Sequence, residues 1–219
     1  MKPKPLSILF PLFLGLALVL AWLLALPPTT RAAPVACVPG PHSGHITADE
    51  EWCLADSPHL VEGNVIIDPG VTLTVEPGVI VRVPGWPWHI ALNVQGNLEA
   101  VGTPNQPITF TSTTGGSTWA GLIVDGGSAN LQYATVEYAC STQNNITVRN
   151  DGALMLDHSA VQHCHYGGGA GEILLRIDDS TATIRHSTFT ASDWYPIYLS
   201  FAQINGNMLL GKDSGQSCL

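Results

Sequence analysis

The stretch that decides the fold reads Asp68-Pro-Gly-Val-Thr-Leu-Thr-Val-Glu-Pro-Gly-Val-Ile-Val-Arg-Val-Pro-Gly85. Apolar side chains recur at every second position through two short runs, and Pro-Gly pairs precede, separate and follow these runs. Alternation with a period of two is typical of a β-strand buried on one face, and Pro-Gly is a turn signal. The stretch therefore predicts two short strands joined by tight turns.

The second half of the chain repeats a pair of apolar residues spaced five positions apart. The pairs are Leu131/Val136, Leu156/Val161, Ile184/Phe189 and Ile204/Leu209. Their first members step along the chain by 25, 28 and 20 residues. Repeats of this length without helical periodicity predict a β-solenoid, because one coil cannot bury its apolar side chains alone whereas stacked coils form a continuous core.

The competing all-β fold is a sandwich, whose strands also come at short, regular spacing. A sandwich needs hairpins, yet two-residue hairpin loops are scarce: Asp151-Gly152 and Asn205-Gly206 occur, and the second lies inside a repeat unit. We therefore predict an all-β chain that forms a single-stranded right-handed parallel β-helix over residues 65–219. Residues 34–64 are expected to form an N-terminal cap region.

The first 33 residues have the composition of a targeting segment. A basic start precedes an apolar run from Leu6 to Leu26, and the small residues Thr30 and Ala32 then offer a cleavage point. The alternative is an uncleaved membrane anchor, since roughly 20 apolar residues suffice to span a bilayer. Both alternatives predict a protein that is secreted or held at the cell surface, with membrane contact only through this segment.

Charge restricts the partners of the remaining chain. Five basic residues stand against seventeen acidic ones after the targeting segment, a net charge of −12. This balance disfavours nucleic acid and anionic polymers as partners unless a cation bridges them. An extracellular polysaccharide or a cell-surface glycan is the expected partner.

All five cysteines follow the targeting segment, and an oxidising compartment favours disulfides over metal binding. We predict a Cys37–Cys53 bond, because these residues flank the first segment, and a Cys140–Cys164 bond, because 24 residues are about one coil. No Cys-x-x-Cys pair or zinc-ligand spacing occurs, so no metal site is predicted.

Five segments follow one another in an order that resembles bacterial right-handed parallel β-helix surface and secreted proteins, whose fold is pectate-lyase-like. They are Leu73-Thr-Val-Glu-Pro-Gly-Val79, Val94-Gln-Gly-Asn-Leu-Glu-Ala-Val-Gly-Thr103, Pro107-Ile-Thr-Phe-Thr-Ser112, Trp119-Ala-Gly-Leu122 and Leu131-Gln-Tyr-Ala-Thr-Val-Glu-Tyr138. The resemblance implies export and architecture. Most members of the group carry no assigned chemistry, so it implies no activity.

Candidate catalytic residues lie in Arg176-Ile-Asp178-Asp179-Ser180, with Arg185 nearby. Two carboxylates can divide acid and base work on a glycosidic bond or hold Ca²⁺ against an acidic sugar. The simpler interpretation is a turn, where Asp and Ser bond the local backbone. Adjacent residues of a strand also face opposite sides, so one groove would receive only one of the two carboxylates.

Aromatic and imidazole rings give two further candidates. Trp86 and Trp88 are candidate sugar-binding rings, although tryptophan more often fills a core or caps it. His158 and His186 follow equivalent apolar residues and should stack in neighbouring coils, where they would bind a metal or simply form part of a polar surface. Tyr133 and Gly206 occupy the matching positions of other coils, which argues against a uniform column.

The leading hypothesis is an exported, non-catalytic β-helix that acts in surface display, adhesion or carbohydrate contact, and that needs no cofactor. The alternatives are a polysaccharide lyase or glycoside hydrolase that uses Ca²⁺, and a truncated fragment of a larger surface protein. Projection of Asp178 and Arg185 into one groove would favour the enzyme.

Overall fold

The computed structural model describes residues 35–84, 89–116, 119–139, 144–164, 173–192, 195–201, 203–205 and 208–210. The predicted targeting segment at residues 1–33 lies outside these ranges, so its prediction stays untested. Within the described ranges, no helix is both long and apolar enough to cross a bilayer.

The described residues form twenty β-strands and one short 3₁₀-helix, Leu54–Asp56. The strands are β1 (His42–Ile46), β2 (Glu50–Trp52), β3 (His59–Ile67), β4 (Thr72–Val75), β5 (Ile80–Val83), β6 (Ala91–Val94), β7 (Asn97–Val101), β8 (Ile108–Ser112), β9 (Gly121–Asp125), β10 (Ser128–Gln132), β11 (Ala134–Glu137), β12 (Asn144–Arg149), β13 (Ala153–Asp157), β14 (Ala160–Cys164), β15 (Ile173–Asp178), β16 (Thr181–Arg185), β17 (Ser187–Ser192), β18 (Tyr195–Ser200), β19 (Gln203–Asn205) and β20 (Met208–Leu210).

From β4 onward, each strand pairs with the strand three positions further along the chain, and the strands build three lateral faces. Face 1 contains β2, β4, β7, β10, β13, β16 and β19, and face 2 contains β5, β8, β11, β14, β17 and β20. Face 3 contains β1, β6, β9, β12, β15 and β18, and the long strand β3 joins it to face 2. All pairings between these strands are parallel, and parallel crossovers are almost always right-handed. The predicted right-handed parallel β-helix is confirmed.

Inward-facing side chains form a continuous core because equivalent positions stack from coil to coil. Leu131, Leu156 and Ile184 are aligned on face 1, as the repeat spacing predicts. Phe110 and Phe189 are fully buried at equivalent positions of face 2. Truncation of such a ring to alanine costs about 3–5 kcal/mol, so each coil depends strongly on its neighbours.

The predicted register of the last coil is wrong. Ile204 pairs with Ala182, two residues before the expected partner Ile184, and Leu210 rather than Leu209 pairs with Phe189. The coil from Ala182 to Ile204 is therefore shorter than the preceding one. A shift of two residues keeps the same face inward, so an apolar spacing pattern cannot distinguish the two registers of face 1.

The N-terminal part begins with the Cys37–Cys53 disulfide, whose Cα atoms are 5.5 Å apart, and this prediction is confirmed. β1 and β2, which lie in the predicted cap region, pair in parallel with β3 and β4. Trp52 is fully buried and stacks on the imidazoles of His42 and His59, with centroid distances of 4.1 and 5.5 Å. These three buried rings pack together within the N-terminal part of the chain.

Candidate functional site

The corner between faces 1 and 2 is built alike in three successive coils. Tyr133, His158 and His186 each occupy the left-handed region, with φ of 47°, 50° and 47°. This region is uncommon for residues other than glycine and needs support from the surroundings. One residue per coil therefore turns the chain here and projects its ring from the corner.

Two buried serines hold the backbone of these corners through hydrogen bonds of their hydroxyl groups. The Ser159 hydroxyl accepts a hydrogen bond from Ala134 N at 3.1 Å and lies 3.0 Å from the carbonyl oxygen of Asp157. The Ser187 hydroxyl accepts from Ser159 N at 3.2 Å and donates to the carbonyl of Arg185 at 2.7 Å. These bonds link three coils and fix the backbone that carries the rings.

The three rings stack, and two of them point at one carboxylate. Centroids of Tyr133 and His158 are 4.8 Å apart, and those of His158 and His186 are 4.5 Å apart. Nδ1 of His158 lies 2.8 Å and Nδ1 of His186 lies 3.0 Å from Oδ1 of Asp157. The hydrogen bond from His186, assisted by His158, holds the pKa of Asp157 below its ordinary value. We call these four residues the corner site.

Face 3 carries a second group of polar side chains on its outward side. Nη2 of Arg149 lies 2.7 Å from Oδ2 of Asp125, and Nε of Arg176 lies 2.5 Å from Oδ2 of Asp178. The Arg176 guanidinium sits 5.0 Å from the ring centroid of Tyr198, a cation–π distance. We call these five residues the face-3 patch.

The face-3 patch is open to solvent. The side chains of Arg149 and Arg176 are 47% and 40% exposed, and Tyr198 is 42% exposed. The hydrogen bond from Arg149 is the main cause that lowers the pKa of Asp125, and the bond to Asp178 raises the pKa of Arg176 further. The patch thus offers an aromatic ring and two arginines whose charges are locally balanced.

Buried polar groups of the cap have a structural role. Nε2 of His42 lies 2.9 Å from Nδ1 of His59, and burial together with His59 lowers the pKa of His42 to about 4. Glu51, Cys53 and Glu76 also lie close together, but Cys53 is oxidised in the disulfide and cannot be a thiolate ligand.

The family comparison agrees with this architecture. A family model described as a pectate-lyase-like β-helix domain matches residues 44–159, just over half of the chain. The chain belongs to this family. No curated protein and no solved structure matched at the significance required. Membership of the pectate-lyase-like family thus establishes the β-helix architecture. The function of this chain has to be inferred from its surface residues.

The four predicted catalytic residues are not brought into one groove of this pectate-lyase-like β-helix. Arg176 and Asp178 lie together on face 3, and Asp179 occupies the following corner with φ of 45°. Arg185 is at the far end of β16 on face 1. Four steps of about 3.3 Å separate the two ends of this five-residue strand by about 13 Å. Arg185 is therefore remote from Asp178.

Other predicted residues have mixed outcomes. Trp86, Trp88 and Cys140 lie outside the described residues, so their predicted roles stay predictions. Cys164 is disulfide-bonded, as the predicted Cys140–Cys164 bond requires of this residue. The stacking of His158 on His186 is confirmed.

Sequence reasoning missed Tyr198, Asp157 and the continuation of the ring stack through Tyr133. Treating Tyr133 as a break in the column was wrong, because a phenol ring stacks on an imidazole as another imidazole does. Asp157 directly precedes His158, so the Asp-His order at a repeated corner was the signal available. Tyr198 faces Arg176 only through a pairing that the sequence pattern did not reveal.

Proposed function

We propose that the mature chain is an exported, non-catalytic β-helix module that contacts an extracellular polysaccharide or cell-surface glycan through the face-3 patch. The observation that carries this proposal is the half-exposed ring of Tyr198 with the guanidinium of Arg176 held over it. An aromatic face that is partly wet suits a sugar ring, which has apolar C–H groups on its faces and hydroxyls at its edge.

The arrangement of face 3 favours an extended ligand. Strands of neighbouring coils are about 4.8 Å apart, so residues in register form a straight row along the solenoid. Thr147, Arg176 and Tyr198 are in register across β12, β15 and β18. The bond to Asp178 uses the Nε–H of Arg176, one of five guanidinium N–H donors that can bond hydroxyl groups.

The placement of the acidic residues supports binding without chemistry. Asp178 accepts a charge-assisted hydrogen bond from Arg176, which a general base would have to give up. Asp179 lies in a corner, and Arg185 lies at the far end of β16, about 13 Å from the start of that strand, so no second charged partner from the predicted set converges on Asp178. The net charge of −12 favours neutral over acidic glycans.

The experiment is to incubate residues 34–219 with neutral and acidic polysaccharides, with and without Ca²⁺, while binding and new chain ends are measured. We expect binding of a neutral polysaccharide without new ends, and a loss of binding in Tyr198→Ala. Tyr133→Ala is the matched control, because it removes a stacked tyrosine from the opposite corner and should bind normally.

Two results would contradict the proposal. New chain ends that disappear in Asp178→Ala would make the protein a lyase or hydrolase. Equal binding by the wild type and Tyr198→Ala would exclude the face-3 patch as the contact surface. Export is tested separately, by N-terminal sequencing of the chain recovered from the culture medium and the cell surface.

A further inference from the structure

The corner site brings ligand atoms of two successive coils to one point. Nδ1 of His158, Nδ1 of His186 and a carboxylate oxygen of Asp157 all lie within 4.8 Å of one another. Asp157 and His158 end one coil of face 1, and His186 follows β16 in the next coil. Both imidazoles direct the same nitrogen to the same carboxylate oxygen, so two neutral donors and one anionic donor converge.

The ligand atoms are held in position before any ion arrives. His158 is packed between the rings of Tyr133 and His186, which limits rotation of its imidazole. The backbone beneath is fixed by the Ser159 and Ser187 hydroxyls. Fixing the ligands in advance reduces the conformational entropy that binding would otherwise cost.

We propose that the corner site binds a divalent transition-metal ion, with Zn²⁺ as the best match, through Nδ1 of His158, Nδ1 of His186 and the carboxylate of Asp157. Three protein ligands leave a fourth position of a tetrahedral ion for water or for a ligand group. The His₂-carboxylate set disfavours Ca²⁺ and Mg²⁺, which take oxygen ligands.

The nitrogen–oxygen distances suit such an ion. Tetrahedral Zn²⁺ with bonds near 2.0–2.2 Å places neighbouring ligand atoms about 3.3 Å apart. The two Nδ1–Oδ1 distances are 2.8 and 3.0 Å, so each imidazole nitrogen needs to move away from the carboxylate oxygen by only a few tenths of an ångström. Each imidazole would bind as its neutral form, with the ring proton on Nε2.

The metal would add a further link between two coils that already meet through strand pairing, packing and side-chain hydrogen bonds. A metal bound by His158 and His186 bridges the corner of β13 to the corner of β16. Because a metal that binds only the folded chain stabilises it by mass action, Zn²⁺ should raise the melting temperature. The face-3 patch lies elsewhere, so failure of one proposal leaves the other unaffected.

The test is a calorimetric Zn²⁺ titration of the metal-stripped chain near pH 7.5, with His158→Asn and His186→Asn as variants. Asparagine tolerates the left-handed region, so the corners should keep their backbone conformation, and circular dichroism checks the fold. His45→Asn is the matched control, since Nδ1 of His45 pairs with Asp68 at 2.6 Å without a second imidazole in that pair.

We expect one Zn²⁺ per wild-type chain, and at least about tenfold weaker binding in either corner variant, a loss that disrupted metal sites commonly show. His45→Asn should bind as the wild type does. Co²⁺ should give a visible absorption band in the wild type that is lost in His186→Asn. The proposal is overturned by the lack of saturable Zn²⁺ binding in the wild type, or by undiminished binding in the His158→Asn/His186→Asn double variant.

Discussion

Asn145 provides the sharpest test of how the coils are held together, because this residue is 0% exposed and its side chain bonds the backbone of two separate segments. Its Nδ2 donates to the carbonyl of Gln162 at 2.6 Å, and its Oδ1 accepts from Ala139 N at 3.2 Å. Asn145→Ala would leave both backbone groups without this partner inside the solenoid.

The expected loss of unfolding free energy follows from the two backbone groups that lose a partner, the N–H of Ala139 and the carbonyl of Gln162. A buried backbone group that loses its hydrogen bond costs about 1–3 kcal/mol, so the variant should lose about 2–5 kcal/mol of unfolding free energy. That is a large share of the total of about 5–15 kcal/mol that is usual for a domain. Chemical denaturation followed by tryptophan fluorescence measures the difference at constant m-value.

The adjacent Asn144 is the matched control. Its Oδ1 is buried and has no hydrogen-bond partner among the described residues, so Asn144→Ala removes an amide of the same size from the same strand without breaking a bond through that oxygen. We expect this variant to stay within about 0.5 kcal/mol of the wild type, or to gain stability. Equal losses in the two variants would refute the argument that the Asn145 bonds stabilise the coil.

Two further predictions concern the backbone and pH. In Gly96→Ala the new Cβ would lie 2.3 Å from the carbonyl oxygens of Asp68 and Val71. The free energy of unfolding should therefore fall by at least about 3 kcal/mol. Gly70→Ala, at φ of +81° with open space around it, should lose only about 1–2 kcal/mol, and a reversed order in denaturant melts would contradict this account. His42 stays neutral in the fold down to its pKa of about 4, so its contribution is complete above about pH 6.5 and is lost as the pH falls towards 4. His42→Phe should therefore reduce the dependence of the melting temperature on pH across that interval. An unchanged pH dependence would exclude His42 as its source.

The architecture could be predicted from the sequence because its signal is local. Alternation around Leu73 and Val81 identifies strands, and the spacing of Leu131, Leu156 and Ile184 reflects the length of a coil. Both depend on burial of apolar side chains, which any solenoid requires. The last coil was misplaced because a shift of two residues in the pairing of Ile204 keeps the same alternation of faces along the strand.

The candidate sites were less predictable because they depend on neighbours from different coils. Arg176 and Asp178 are two residues apart on one strand, so their pairing follows from strand geometry. Tyr198 joins them only through the register of β15 and β18. The convergence of His186 on Asp157 depends on a left-handed backbone conformation at both corners. A histidine in the sequence does not by itself predict that conformation.

The face-3 patch as the glycan contact is tested most directly by hydrogen–deuterium exchange on the chain with and without a saturating polysaccharide. The account predicts slower exchange in β15 and β18, Ile173–Asp178 and Tyr195–Ser200, with little change in β13 and β16 on face 1. Protection confined to face 1, or no protection despite measured binding, would contradict it.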